Sequence, residues 1–114
     1  MTTTLHDVTA GAFTRTLRAF EGVLAKGRAH CESHGVPLED VLETRLIADM
    51  LPFRFQVICV AHHSLGAFLG VEEGAFGSPA VNGQDFDDLQ EMIAETRAGL
   101  LEYGPEAVHG LAEN

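Results

Sequence analysis

Residues 44–69, TRLIADMLPFRFQVICVAHHSLGAFL, form the longest nearly apolar stretch of the chain, and no other feature limits the fold so strongly. Charge enters only at Arg45, Asp49 and Arg54, and the adjacent pair His62 and His63 lies near the far end. Phe53, Val57, Val60 or Ala61, Ser64 and Phe68 recur at helical spacing, and Ile58, Leu65 and Leu69 mark a second side. The spacing predicts a helix whose apolar surface is wide enough to meet more than one neighbour. Asp49 is placed to cap it, Pro52 falls in its first turn, where a missing N–H matters little, and Gly70 is placed to end it.

Two more long helices flank this one. Over residues 5–34, Phe13, Leu17, Phe20 and Leu24 draw one apolar stripe, and Gly35 before Val36-Pro37 supplies a left-handed stop. Leu38, Val41, Leu42 and Leu46 keep helical spacing through a short connector. Residues 71–84, with several glycines and an Asn-Gly, read as a loop. Asp85 and Asp88 resemble a capping box for a third helix, whose stripe is Phe86, Leu89, Ile93, Thr96 or Arg97, and Leu100, closed by Gly104-Pro105. The tail after Pro105 has too little apolar spacing to assign. No strand-like alternation of useful length occurs.

At 114 residues the chain suits one domain, spanning 1–114, with a core that needs no staples. Its formal charge of −10 argues against nucleic acid as a partner, because phosphates need a basic face. Residues 1–70 carry six Lys/Arg against seven Asp/Glu, whereas residues 71–114 carry one against ten, so the acid sits on the last third, where it solvates an exposed helix. Cys31 and Cys59 have no CxxC partner, the amino terminus lacks a secretory pattern, and no segment is apolar enough to span a membrane. The expected setting is the cytoplasm.

Three helices with faces this broad leave apolar surface over. Four large apolar side chains in water would forgo roughly 6–12 kcal/mol, which rivals the whole stability of a domain, about 5–15 kcal/mol. Either the tail folds back or a second copy covers the gap, and a homodimer is the expectation if the chain is complete.

The residues themselves resemble a known family. RTLRAFEGVLAKGRAH at 15–30, then Arg45-Leu46, Asp49-Met50, Pro52, Gln56-Val57 and His63, then FDDLQEMIAETRAGL at 86–100, are similar to a bacterial DinB-like family, domain of unknown function number nineteen ninety-three. His62 stands where that pattern often has Asp. The resemblance implies an all-α, DinB-like up-and-down helical bundle: three long helices are present, and the fourth is missing or supplied by the tail or a partner. Family members usually continue past the point matching Asn114 with a further aromatic and histidine-bearing segment, so the resemblance implies a chain that is truncated at its C-terminus, a fragment or a divergent short form. Many DinB-like proteins hold a divalent metal with three histidines from two helices, and some act as thiol-dependent transferases or hydrolases.

On that resemblance His63 is the first candidate ligand and His30 the second, for Zn, Ni or Mn; the plainer reading of His63 is a half-buried imidazole bonded to a carbonyl or carboxylate. His62 points about 100° away around the helix and does not share an ion with it. His30 and His34 share a face, but HExxH is absent because position 31 is Cys. Arg45 and Asp49 are either an anion site at the bundle mouth or a salt bridge pinning the connector. Gln56 is a candidate to orient His63 or His30. Two functions remain: a metal-dependent hydrolase or thiol transferase, or a non-enzymatic dimeric bundle serving as a binding or assembly module.

Overall fold

The computed structural model describes residues 2–113, and those residues contain helices and no strands. The expectation about a truncated end at Asn114 lies outside them. Helix begins at Leu5, where Thr4 and Asp7 cap each other reciprocally: the Thr4 N–H donates to the Asp7 carboxylate at 2.9 Å and the Asp7 N–H to the Thr4 hydroxyl at 3.2 Å. These bonds hold the Asp7 carboxyl below its usual range. One π-helical turn, Asp7–Gly11, leads directly into α1, Ala12–His34. As the sequence indicates, Gly35 stops α1 at φ 68°, with its N–H returned to the Cys31 carbonyl.

The next element, α2, is Leu38–Leu42. Here the structure corrects the sequence reading. Helical spacing does not continue to Leu46; residues 43–52 are irregular, and Leu46 faces water. Nor does Asp49 cap the central helix. That helix, α3, is Phe53–Glu73, with Pro52 as its extended N-cap residue rather than part of its first turn. Residues 45–51 are spent on a turn that brings the Thr44 carbonyl back to accept the Phe53 N–H at 2.9 Å, so the first donor of α3 is satisfied by backbone. Gly70 does not end α3 either. It is buried, and a Cβ there would lie 3.1 Å from the Phe76 ring; the stop is Gly74, at φ 77°, four residues later. Gly70 is therefore a packing glycine, small so that the loop can approach.

In α4, Phe86–Leu101, the capping box forms as expected, with Asp88 N–H to Asp85 at 2.8 Å and Asp85 N–H to Asp88 at 2.9 Å. The tail left unassigned forms α5, Pro105–Leu111, with proline in its first turn.

The acidic α4 is the middle of the bundle, packed between α1 on one side and α3 on the other. Leu17 and Leu24, Val57 and Ile58, Leu89, Ile93 and Leu100 bury together, joined by Leu42 of α2 and Val108 of α5 in one continuous core. Thr96 rather than Arg97 faces inward; Arg97 instead ion-pairs with Glu21 of α1. The tail thus supplies the further covering element, although only as a two-turn helix. Its approach is fixed by Tyr103, which stacks on Phe68 at 4.9 Å and donates its hydroxyl proton to Glu72 at 2.6 Å. Burial, then Glu72, pushes the Tyr103 phenol up to about 12.

Two arginines clasp the outside. Arg54 donates to the Gln84 carbonyl at 2.6 Å and ion-pairs with Glu39 at 3.2 Å and with Glu43, tying α2, α3 and the entry to α4. Arg28 joins Asp87 and Gln90 of α4 to Glu32 of α1 and lies over the Phe86 ring.

Candidate functional site

The histidines do not converge. His63 is exposed on α3, and its Nδ1–H donates to the Cys59 carbonyl one turn back, at 2.9 Å. His62 is half-buried and fastens the following loop: it stacks on Phe76 with ring centroids 4.4 Å apart, and its Nε2–H donates to the Gly77 carbonyl at 2.6 Å. His30 lies exposed near the end of α1, stacked on His34 at 4.1 Å, and the His34 Nδ1–H donates to the His30 carbonyl at 2.9 Å.

These placements decide the fit of a metal. Zinc and similar ions take three or four donors within about 2.0–2.3 Å. Among the described residues no three His, Cys, Asp or Glu side chains come together to supply them. Nor does any buried side-chain nitrogen or oxygen among them lack a hydrogen-bond partner. The residues present do not fit the three-histidine centre that the DinB-like resemblance implies. Cys59 also lacks the environment of a reactive thiol, because burial raises its pKa and keeps it protonated.

The polar candidates of the connector bond locally. Arg45 donates to the Met50 carbonyl at 2.7 Å rather than to Asp49, and both residues are exposed. Gln56 donates to the Leu51 carbonyl at 3.1 Å and reaches neither His63 nor His30.

What the connector does build is apolar. Val41, Thr44, Leu46, Met50, Phe53 and Gln56 line a cleft of ≈ 540 Å³. Beside it Leu46 is 88% exposed, Ile47 65% and Leu51 49%. Three large aliphatic side chains within six residues stand exposed next to an apolar cleft, and exposed apolar surface of that kind marks interaction sites. Sequence reasoning missed it because helical spacing placed Leu46 in a buried stripe. The usable signal was Pro52, whose neighbour on the N-terminal side is kept out of helical angles, so that an apolar run just before it has no helix to bury it.

The class defined by these features is an all-α bundle with an irregular apolar connector between its second and third helices. Comparison with known families sharpens this: the model described as "Domain of unknown function (DUF1993)" matches residues 5–114, and the chain belongs to that family. No curated protein and no solved structure matches the chain. No helix among the described residues is long and apolar enough to cross a membrane.

Proposed function

We infer that this chain is a non-enzymatic helical bundle that works as a binding or assembly module, docking through its connector. The observation that carries this reading is the ≈ 540 Å³ apolar cleft with Leu46, Ile47 and Leu51 exposed around it. Leaving such side chains in water forgoes roughly 1.5–3 kcal/mol each, a quantity that an occupant recovers on binding. The rival, a divalent-metal hydrolase or thiol transferase using His63 and His30, needs three donors around one point, and the described residues bring no such group together at either histidine. The reading takes the bundle as DinB-like, on the strength of the central motif and the helix order, with α5 in the place of a fourth helix. It places the protein in the cytoplasm, where the thiols of Cys31 and Cys59, both unpaired, persist.

The test uses dilute protein and a dye that fluoresces on apolar surface. The dye brightens on the wild type, and Leu46→Asp removes that signal at unchanged helix content. A signal that survives the substitution overturns the reading. Retention of stoichiometric Zn, Ni or Mn after purification, with a rise in Tm on adding that metal, favours the rival instead.

A further inference from the structure

The end of α1 carries a pair of imidazoles that docking at the connector does not use. His30 and His34 lie one turn apart on the same helix face, both exposed, with ring centroids 4.1 Å apart and planes 25° apart. Its neighbours fix the tautomer of neutral His34. A carbonyl oxygen can only accept, so the His34 Nδ1 that lies 2.9 Å from the His30 carbonyl carries the proton. Ser33 reinforces this. Its hydroxyl proton goes to the same carbonyl at 3.0 Å, which leaves its oxygen as an acceptor 3.0 Å from that Nδ1. The Nε2 lone pair of His34 is left bare. Metal-ligating histidines are held in this way, through the other ring N–H to a carbonyl.

His63 makes a similar bond to the Cys59 carbonyl but has no second donor one turn away. Position 67 is Ala, and burial keeps the Cys59 thiol protonated. His34 does have one, because the exposed His30 ring is stacked on it and is able to turn a nitrogen to the same point. Two metal–nitrogen bonds of the usual length require donors about 3 Å apart, which a tilt of the two rings supplies. Charge favours a cation here. The last turn of α1 is the partially negative end of the helix, the chain as a whole carries −10, and Arg28 is already engaged with Glu32 and Asp87. Lys26, exposed one turn before His30, opposes the cation and limits its affinity.

We propose that His30 and His34 form a two-histidine site for a late divalent transition metal, Cu²⁺ ahead of Ni²⁺ and Zn²⁺, with water completing the coordination. Imidazole nitrogens select these ions, and two of them without carboxylate or carbonyl oxygens do not suit Mg²⁺ or Ca²⁺. The site differs from the three-histidine centre in drawing on one helix and in making no use of His63. The ion spans the last turn of α1 and staples it just before the stop at Gly35.

Titrating Ni²⁺ into metal-stripped protein, with the ring signals of the six histidines followed by NMR, tests this. The paramagnetic ion broadens His30 and His34 first, and Tm rises with its concentration by mass action. His30→Ala and His34→Ala, at exposed positions that leave helix content intact, each weaken binding about tenfold or more, because a single imidazole loses the benefit of a tethered partner. His63→Ala leaves it unchanged. Broadening spread evenly over all the histidines, or an affinity that survives both substitutions, overturns the site. Binding that is lost in His63→Ala also overturns it and supports the rival metal centre. A two-donor site gives up its ion on dialysis, so metal retained through purification remains the mark of that rival, and neither result at His30 and His34 bears on the dye signal at the connector.

Discussion

From Phe86 to Leu100 the inward side chains of α4 are covered from two directions, by α1 and by α3; between Leu46 and Leu51 the large aliphatic side chains Leu46, Ile47 and Leu51 stand from half to almost wholly exposed. Both stretches are oily, and the second is part of the most apolar run in the chain. What separates them is backbone. The capping box at Asp85 starts a regular helix that holds its stripe on one face, whereas the connector turns on itself to return Thr44 to Phe53, and its side chains fan outward. Hydrophobicity sets how much surface seeks cover, and local geometry sets whether the chain's own neighbours can supply it.

Cutting one residue in each region gives the largest contrast. Ile93→Ala, at a fully buried position, is expected to lower unfolding free energy by about 2–5 kcal/mol. Leu46→Ala in dilute protein is expected to change it by no more than about 0.5 kcal/mol. Chemical denaturation of both variants checks this; a comparable loss at Leu46 would mean that the connector is part of the folded core after all.

Arg54→Ala comes next. It removes one donor from Glu39, Glu43 and the Gln84 carbonyl together, and about 1.5–3 kcal/mol of stability goes with it. Because Arg54 anchors both flanks of the connector, amide exchange over residues 43–52 should quicken in this variant; protection unchanged there would show that the connector holds its shape without the clasp.

His62→Ala removes the stack on Phe76 and the bond to Gly77, worth about 1 kcal/mol. Its effect should be local, with faster exchange across residues 75–84 and unchanged exchange in α1 and α4. Exchange that quickens throughout would place His62 in the cooperative core.

The last contrast depends on pH and concerns Tyr103. Its phenol is held up to about 12 against an ordinary value of 10, so the neutral form is favoured in the fold. That contribution is complete below about pH 10 and is lost as pH rises towards about 12. The stability difference between wild type and Tyr103→Phe should therefore shrink from about pH 10 upward. A difference that stays flat, read from denaturant midpoints, removes Tyr103 from the alkaline loss.

Much of the fold was legible in the residues. Gly35 and the Asp85–Asp88 box announce a helix end and a helix start through bonds within a few positions, and such signals survive without tertiary context. The stripes of α1 and α4 are legible because one face of each is polar enough to name the other. The central helix offers no such contrast. With apolar residues all around, its start at Asp49 and its end at Gly70 were each displaced by three or four positions, to Pro52–Phe53 and to Glu73–Gly74. The histidines were legible as donors, but their grouping was not, since convergence depends on the rotation of one helix against another.

By itself, then, the sequence determined an all-helical chain, the bounds of its first and third long helices, and the concentration of acid on its last third. Tertiary structure decided that Gly70 packs rather than stops, that the tail folds back through Val108 and Tyr103, that His62 fastens a loop, and that Leu46, Ile47 and Leu51 stand in water. The reason is range: caps and periodicity act over three or four residues, while covering an apolar side chain depends on which distant segment the backbone brings alongside it.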